Sequence, residues 1–494
     1  MIVMLTHRLV LAPSNARVGW NLALLAGIAL VALLAACAPT LTPARTPVAE
    51  SAPVSKPANQ TGTIAFVGAN VLPMDREHVL ERHTVVVRDG RIIEIAPEAT
   101  ARIPDDAQRI QAQGRYLLPG LTEMHGHVPD PDQARYLDEV LFLYVSNGVT
   151  TVRNMSGHDG HIQLRERLAR GDVLGPTLIT ASPWLGGDRA ATPAAAESLV
   201  RRYQAAGFDL LKVGEMSREA YAQMVGTAQA LNLPFAGHVP QAVGLVGALD
   251  ARQTSIDHFD RYAEFLAADA AAARDPGFFG SGIIDHVDRA RLDEAIKRTI
   301  AAGTWNVPTL SLVEHLASPE APEAMARWPE MRYLPASVVE GWVKAKRDFQ
   351  ARADFQPAAT RQLVALRHEL LQRLHQAGAP IALGSDAPQF FNVPGFSIHH
   401  EMRMMVTAGL SPYQVLASGT REPARYFATP DAFGTIALGR RADLLLLEAN
   451  PLQDIANVQR RAGVMVAGRW LPEHEIQRRL TEIETRRRSA REID

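Results

Sequence analysis

The sequence predicts an α/β protein: a (β/α)8 barrel joined to a small β-sandwich assembled from both ends of the chain. Three observations lead there. Between about 119 and 428, eight short apolar segments alternate with stretches of helical periodicity, the pattern of parallel strands connected by helices. Strand-rich segments with hydrophobic alternation lie on both sides of that region. A chain of 494 residues, 47% apolar and 21% charged, can bury one large core and a smaller one. The formal net charge of −2 gives no electrostatic reason to expect nucleic acid as a partner.

At the N-terminus, Arg8 and Arg17 precede the apolar run "NLALLAGIALVALLAACAPT", as in a secretory signal. The run ends in "LAAC", Leu34 to Cys37, which resembles the lipobox of bacterial lipoproteins. The resemblance implies a signal peptide over 1–37, cleavage before Cys37 and lipidation of that cysteine. Several acyl chains then give a stable membrane anchor. Export to the bacterial cell envelope follows, and Ala38 in place of an aspartate favours the outer membrane. The other reading of the same run is an uncleaved transmembrane helix. Cys37 is the single cysteine, so no disulfide forms within the chain. Residues 38–60, rich in Pro, Ala, Ser and Thr, cannot bury a core and are expected to be a disordered tether.

The first part of the sandwich is expected over 61–118, with Asp89-Gly90 as the hairpin signal between two alternating runs. The second part falls over 429–473, in "GTIALGRRADLLLLEANP" and "AGVMVAGRWLP". Residues 474–494 interleave arginines with acidic residues and predict a solvated, charged C-terminal helix. Within the barrel region, 119–428, the eight strands are "LPGLTEMH", "VTTVRN", "PTLITAS", "FDLLKV", "LPFAGH", "TSIDH", "WNVPTL" and "PIALGSD". Ser217 is a candidate N-cap for the helix after the fourth strand. The segments after the sixth and seventh strands exceed what a barrel loop needs and are expected to form helices and lids at one mouth.

Six residues that could carry chemistry fall at the C-terminal ends of these strands, where barrel active sites sit. They are His125 and His127 on the first, Lys212 on the fourth, His238 on the fifth, His258 on the sixth and Asp386 on the eighth. Each alone has a plain structural explanation. Two histidines at i and i+2 share one face of a strand and could line a solvated edge. Their joint placement at one mouth points instead to a metal site, because neutral imidazoles and carboxylates suit zinc and related divalent ions.

With these residues in place, the chain resembles the amidohydrolase superfamily, in its form with a binuclear metal centre and a carboxylated lysine, similar to prolidases and imidazolonepropionases. The resemblance extends through "ASGTREPARYFATPDAFGTIALGRRADLLLLEANP", which is similar to the return from barrel to sheet domain in that group. It implies that His125, His127 and Asp386 bind one ion and His238 and His258 a second. Lys212, as a carbamate derived from carbon dioxide, would bridge them. Carbamate formation needs the neutral amine, hence a lysine whose pKa is depressed by burial. It further implies two divalent ions, zinc being the expected metal, and attack by a bridging hydroxide with Asp386 as general base and then acid.

A small-molecule substrate with a carbon–nitrogen bond follows: an amide, cyclic amide or dipeptide. In prolidase-like members the strand-five histidine is often followed by "AY"; here it is "GHVPQ", with Pro240 where the tyrosine would stand, so prolidase specificity is not implied. Ester or phosphotriester hydrolysis on the same site is the enzymatic alternative, and a non-catalytic surface-binding protein is the other class. His158 and His315 follow strands two and seven and are candidate substrate contacts. His399 and His400 open a predicted helix and are read as structural.

Overall fold

The structure, a computed structural model, describes residues 62–267, 275–352 and 355–491. The expected signal peptide, Cys37 and the tether lie outside the described residues. Strands β1 (Thr63–Val71), β2 (Leu80–Arg88), β3 (Arg91–Pro97), β4 (Gln108–Gln111) and β5 (Tyr116–Pro119) come first. They are followed by β6 (Leu121–Gly126), β7 (Val149–Asn154), β8 (Thr177–Thr180), β9 (Leu211–Val213), β10 (Phe235–Gly237), β11 (Ser255–Asp257) and β12 (Trp305–Val307). The chain then returns through β13 (Leu444–Leu447), β14 (Arg461–Val466) and β15 (Arg469–Pro472).

Both ends of the chain do share one sheet domain. Its eight strands run in the order β15-β14-β13-β5-β1-β2-β3, with β4 also on β1. By hydrogen bonding this is a single sheet rather than the two expected of a sandwich. The reason lies in β1, whose residues Ile64 to Val67 pair with β4 while Asn70 and Val71 pair with β5. Gly68, at φ +73°, sits between these two runs, where a residue without a side chain can turn the strand from one neighbour to the next. Asp89 and Gly90, both at positive φ, make the predicted two-residue hairpin. Phe66, Val85, Leu117, Leu444 and Met465 form the buried face of the domain. The C-terminal helix, Glu473–Arg491, is not solvated all round. Ile476, Leu480 and Ile483 are buried at helical spacing, and Arg486 pairs with Glu139 at 3.2 Å.

The middle of the chain is α/β and TIM-barrel-like. β6, β7 and β8 form one parallel ladder, and β9 to β12 a second. Parallel bridges extend both: Ala181 to Leu210, Asn306 to Ile381, and Gly126 to Ala387. The expected eighth strand, "PIALGSD", is therefore present only as point contacts. Met124 N donates to Leu383 O (2.9 Å) and Asp386 N to His125 O (2.7 Å). Asp386, the last residue of this segment, takes a left-handed φ of +63°. The helix Arg218–Ala230 starts where predicted, with the Ser217 hydroxyl accepting from Ala220 N. After β12 the long insertion folds into helices, including Leu310–Ala317, Ala336–Gln350 and Pro357–Gln376. Among the described residues, no helix is long and apolar enough to cross a membrane.

Candidate metal centre

The strand ends bring all six candidate residues together. His125, His127 and Asp386 offer ligand atoms that all lie within 4.8 Å of one another. His127 Nε2 is 3.0 Å from Asp386 Oδ1, and His125 Nε2 is 3.5 Å from the same oxygen. Lys212 Nζ lies 3.1 Å from His125 Nε2. The His258 ring centroid is 4.6 Å from that of His125 and 4.8 Å from that of His238. The two histidines that the resemblance assigns to a second ion thus sit next to each other and beside the first group. His258 and Asp386 both hold left-handed φ angles, +62° and +63°, a strained state for non-glycine residues that clusters at functional sites.

The donor set fits a divalent cation. His127 Nε2 and Asp386 Oδ1 are buried and face each other at 3.0 Å, and neither has a well-aligned hydrogen bond to any other group, the position a shared cation would take. Burial pulls the His125 imidazole down to about 4 and His258 well below the ordinary histidine value, which keeps both rings neutral and able to donate a lone pair. Burial also lowers the Lys212 ammonium, although Asp257 and Asp386 oppose it. Asp386 would be raised by burial, but the imidazoles of His125 and His127 outweigh this and hold it well below the usual carboxylate range.

A ring of orienting groups stands behind the candidate ligands. His125 Nδ1 lies 2.7 Å from Asp257 Oδ2, which aims Nε2 at the centre. Asp257 is itself gripped by Arg153 Nη2, at 3.1 and 3.0 Å to its two oxygens, and by Ser255 Oγ at 2.7 Å. His238 Nδ1 bonds Asp260 Oδ2 at 2.8 Å, and His258 Nδ1 bonds Thr309 Oγ1 at 2.7 Å. Glu123 accepts from His125 N (3.0 Å), Ser385 N (2.8 Å) and Ser385 Oγ (2.6 Å), tying β6 to the segment that carries Asp386. Burial lifts the Glu123 carboxyl to about 8. Gly237 leaves room for the lysine: a Cβ there would meet Lys212 Cδ at 3.0 Å.

The Amidohydrolase family model matches residues 116–471, a span that holds every residue just described. The chain belongs to the amidohydrolase family. An imidazolonepropionase of Micrococcus luteus is 26% identical to this amidohydrolase over 405 residues, 77% of this chain and 91% of the relative. The crystal structure of a putative prolidase from Bifidobacterium longum superposes with a TM-score of 0.64 at 22% identity, covering 86% of this chain and 99% of that one. A Xaa-Pro dipeptidase with bound methionine gives 0.63 at 20%, covering 83% and 100%. The two structural likenesses support the TIM-barrel-like fold of the amidohydrolase, with its sheet domain.

The two histidines named as substrate contacts end up in different places. His158 is exposed, and its Nδ1 accepts from Gly160 N at 3.0 Å, closing a turn beside His161. His315 is buried within the helix Leu310–Ala317, edge-on to Trp328 at 4.9 Å. Helical geometry explains its burial: the sixth residue of this helix has turned toward the core. His399 and His400 lie in the helix Phe396–Thr407, as read from sequence.

Sequence reasoning passed over Arg153, Asp257, Asp260, Thr309, Glu123 and Arg367. Two had a visible signal, since Asp257 and Asp260 flank His258 in "SIDHFD" as carboxylates beside a metal-type histidine. Arg367 had none. It reaches from the helix Pro357–Gln376, donating to His258 O (2.5 Å) and Pro308 O (2.7 Å) and so holding the loops that present His258 and Thr309.

Proposed function

We propose that this amidohydrolase is a metal-dependent hydrolase of carbon–nitrogen bonds in an amide, cyclic amide or small peptide. The observation that carries the reading is the convergence of His125, His127, Lys212, His238, His258 and Asp386, with His127 Nε2 and Asp386 Oδ1 facing each other at 3.0 Å at its centre. His125, His127 and Asp386 would hold one divalent ion, zinc being the best match to these donors, and His238 and His258 a second. Lys212, as a carbamate, would be a further ligand to this pair. In this reading the eight expected segments of 119–428 would form a barrel that presents these groups from its C-terminal face. Bound there, the ions would polarise the scissile carbonyl and acidify water.

The protein's own groups do the proton work. Asp386 starts ionised, because the neighbouring imidazoles hold its pKa down. Its carboxylate takes the proton from the attacking water as the new C–O bond forms. It then gives that proton to the departing nitrogen as the C–N bond breaks, so the amine leaves neutral. Asp257 and Asp260 keep His125 and His238 in fixed orientations throughout. The names of the M. luteus and B. longum relatives support cyclic-amide and dipeptide substrates as the classes to test first. The same proposal extends to export: a lipid on Cys37 and a tether over 38–60 would hold the enzyme at the cell envelope.

The test is metal analysis of the purified protein followed by assay on N-acyl amino acids, dipeptides and lactams. Two equivalents of divalent metal and amide turnover are expected. A protein that binds no divalent metal and is not activated by zinc plus bicarbonate would falsify the reading.

A further inference from the structure

Resting on that hydrolase reading, we infer that the substrate carries an uncharged aromatic ring next to the scissile amide, received by the row of rings that Trp184 and Phe279 terminate. The rings of Trp184, His238, His258 and Phe279 form a row, with neighbouring centroids 5.2, 4.8 and 5.9 Å apart. The two histidines proposed for the second ion are therefore flanked at both ends by a half-buried aromatic side chain.

Both flanking rings are built in. The Trp184 indole is slotted against two glycines: a Cβ on Gly214 would meet it at 2.2 Å and one on Gly186 at 2.8 Å. No larger residue fits at either position without moving the indole. Phe279 is held at φ +50°, a left-handed conformation that a bulky side chain rarely adopts. Its neighbour Phe278 is buried in ordinary fashion, edge-on at 4.8 Å, whereas Phe279 stays half-exposed beside His258. The Arg367 guanidinium lies 5.6 Å from the Phe279 ring and supports it from within. Backbone strain that keeps an apolar ring partly in solvent beside a chemical centre is explained by a ligand that covers it.

The charges around the row argue for a neutral group. Arg261, which follows His258, spends its donors on Val239 O (2.9 Å), Glu264 (2.8 Å) and Glu215 (2.6 Å). Arg367 is committed to two carbonyls. Arg367 Nε has no hydrogen-bond partner but is buried, so neither guanidinium presents a donor to a substrate carboxylate, as a free dipeptide would require.

The experiment uses paired aromatic and aliphatic amides on the metal-loaded enzyme, one pair differing in the amine and one releasing ammonia from both members. N-benzylacetamide is compared with N-propylacetamide, phenylacetamide with butyramide, and both pairs with the dipeptide Ala-Phe. We expect kcat/KM to be about tenfold or more higher for the aromatic member of at least one pair, and higher than for the dipeptide. In Trp184→Ala and Phe279→Leu that ratio should fall toward one, mainly through KM. Equal rates within both pairs, preference for the dipeptide, or variants that leave the ratio unchanged would overturn the inference while sparing the hydrolase reading. If no amide is turned over, the hydrolase reading fails instead. Equilibrium binding of N-benzylacetamide against N-propylacetamide, followed by indole fluorescence, then decides: preference for the benzyl compound supports the aromatic site, and equal affinity refutes it.

Discussion

Replacing Arg153 by leucine should damage both stability and metal affinity, although its side chain is not itself a candidate metal ligand. The guanidinium is wholly buried and donates to Met124 O (2.5 Å), Ser255 Oγ (2.9 Å), Tyr426 Oη (2.8 Å) and both oxygens of Asp257. Burial alone would raise Asp257, yet Arg153, with His125 second, holds it well below the carboxylate range. Removing the cation leaves a buried carboxylate without compensation, at a cost of about 3–5 kcal/mol. Asp257 can escape part of that cost by taking a proton, but it then loses its grip on the His125 Nδ1 proton. A freed ligand histidine should weaken metal binding about 10–100-fold. Urea unfolding at pH 7 and chelator competition measure the two effects. The double variant Arg153→Leu with Asp257→Asn should recover part of the stability and none of the metal affinity. The sign of the pH dependence follows from the depressed pKa. In the metal-free wild type, the Asp257 contribution is present above its unfolded pKa of about 3.9 and is lost as pH falls below it. The double variant should lack that part of the acid limb. A single variant within about 1 kcal/mol of wild type, with unchanged metal affinity, would refute the reasoning.

Four further changes probe separate parts of the site. Asp386→Asn should abolish amide hydrolysis and depress aryl-ester hydrolysis less, because an aryloxide leaves without needing a proton; equal losses would remove Asp386 from the protonation step. Arg367→Met should cost about 2–4 kcal/mol by stranding the carbonyls of His258 and Pro308, and should loosen the second metal equivalent before the first in a chelator titration. Arg367→Lys should recover only part of this, since an ammonium cannot fork to both carbonyls. Gly237→Ala places a methyl group 3.0 Å from Lys212 Cδ at a φ of +112°. It should cost about 1–3 kcal/mol and remove any stimulation by bicarbonate, both readable from a melting curve and a rate assay. Cys37→Ser should move the protein from the membrane fraction to the soluble one; unchanged attachment would favour an uncleaved helix.

What the sequence made legible was periodicity and chemical type at element ends. β7 was read residue for residue from "VTTVRN", and the Ser217 cap from its position before an amphipathic run. The candidate ligands were legible because barrel geometry sends the ends of parallel strands to one mouth, so residues far apart in sequence need only share a strand-end position to meet. The sheet domain was less legible. Alternation marks a strand without naming its partner, and here Gly68 lets β1 serve β4 and β5 in turn, merging what looked like two layers.

The orienting groups were hidden for a different reason. Arg153 and Glu123 sit in strands that are buried along their whole length, where pattern reasoning expects apolar residues only. Buried charge in such a strand is itself a signal, since an isolated one costs several kcal/mol and must have a partner. The partner cannot be named from one sequence, because Arg153 and Asp257 lie on strands separated by four crossovers. Taken together, the misses follow one physical rule. Residues that must touch an external ion are restricted to a few chemical types at exposed ends, so their identity and position are correlated. Residues that hold those ligands need only the right distance inside the core, which any pair of strands can supply. The candidate metal centre is thus readable as a list of candidate ligands, while the control of their orientation, and with it the pH and stability behaviour of the site, appears only when the strands are placed side by side.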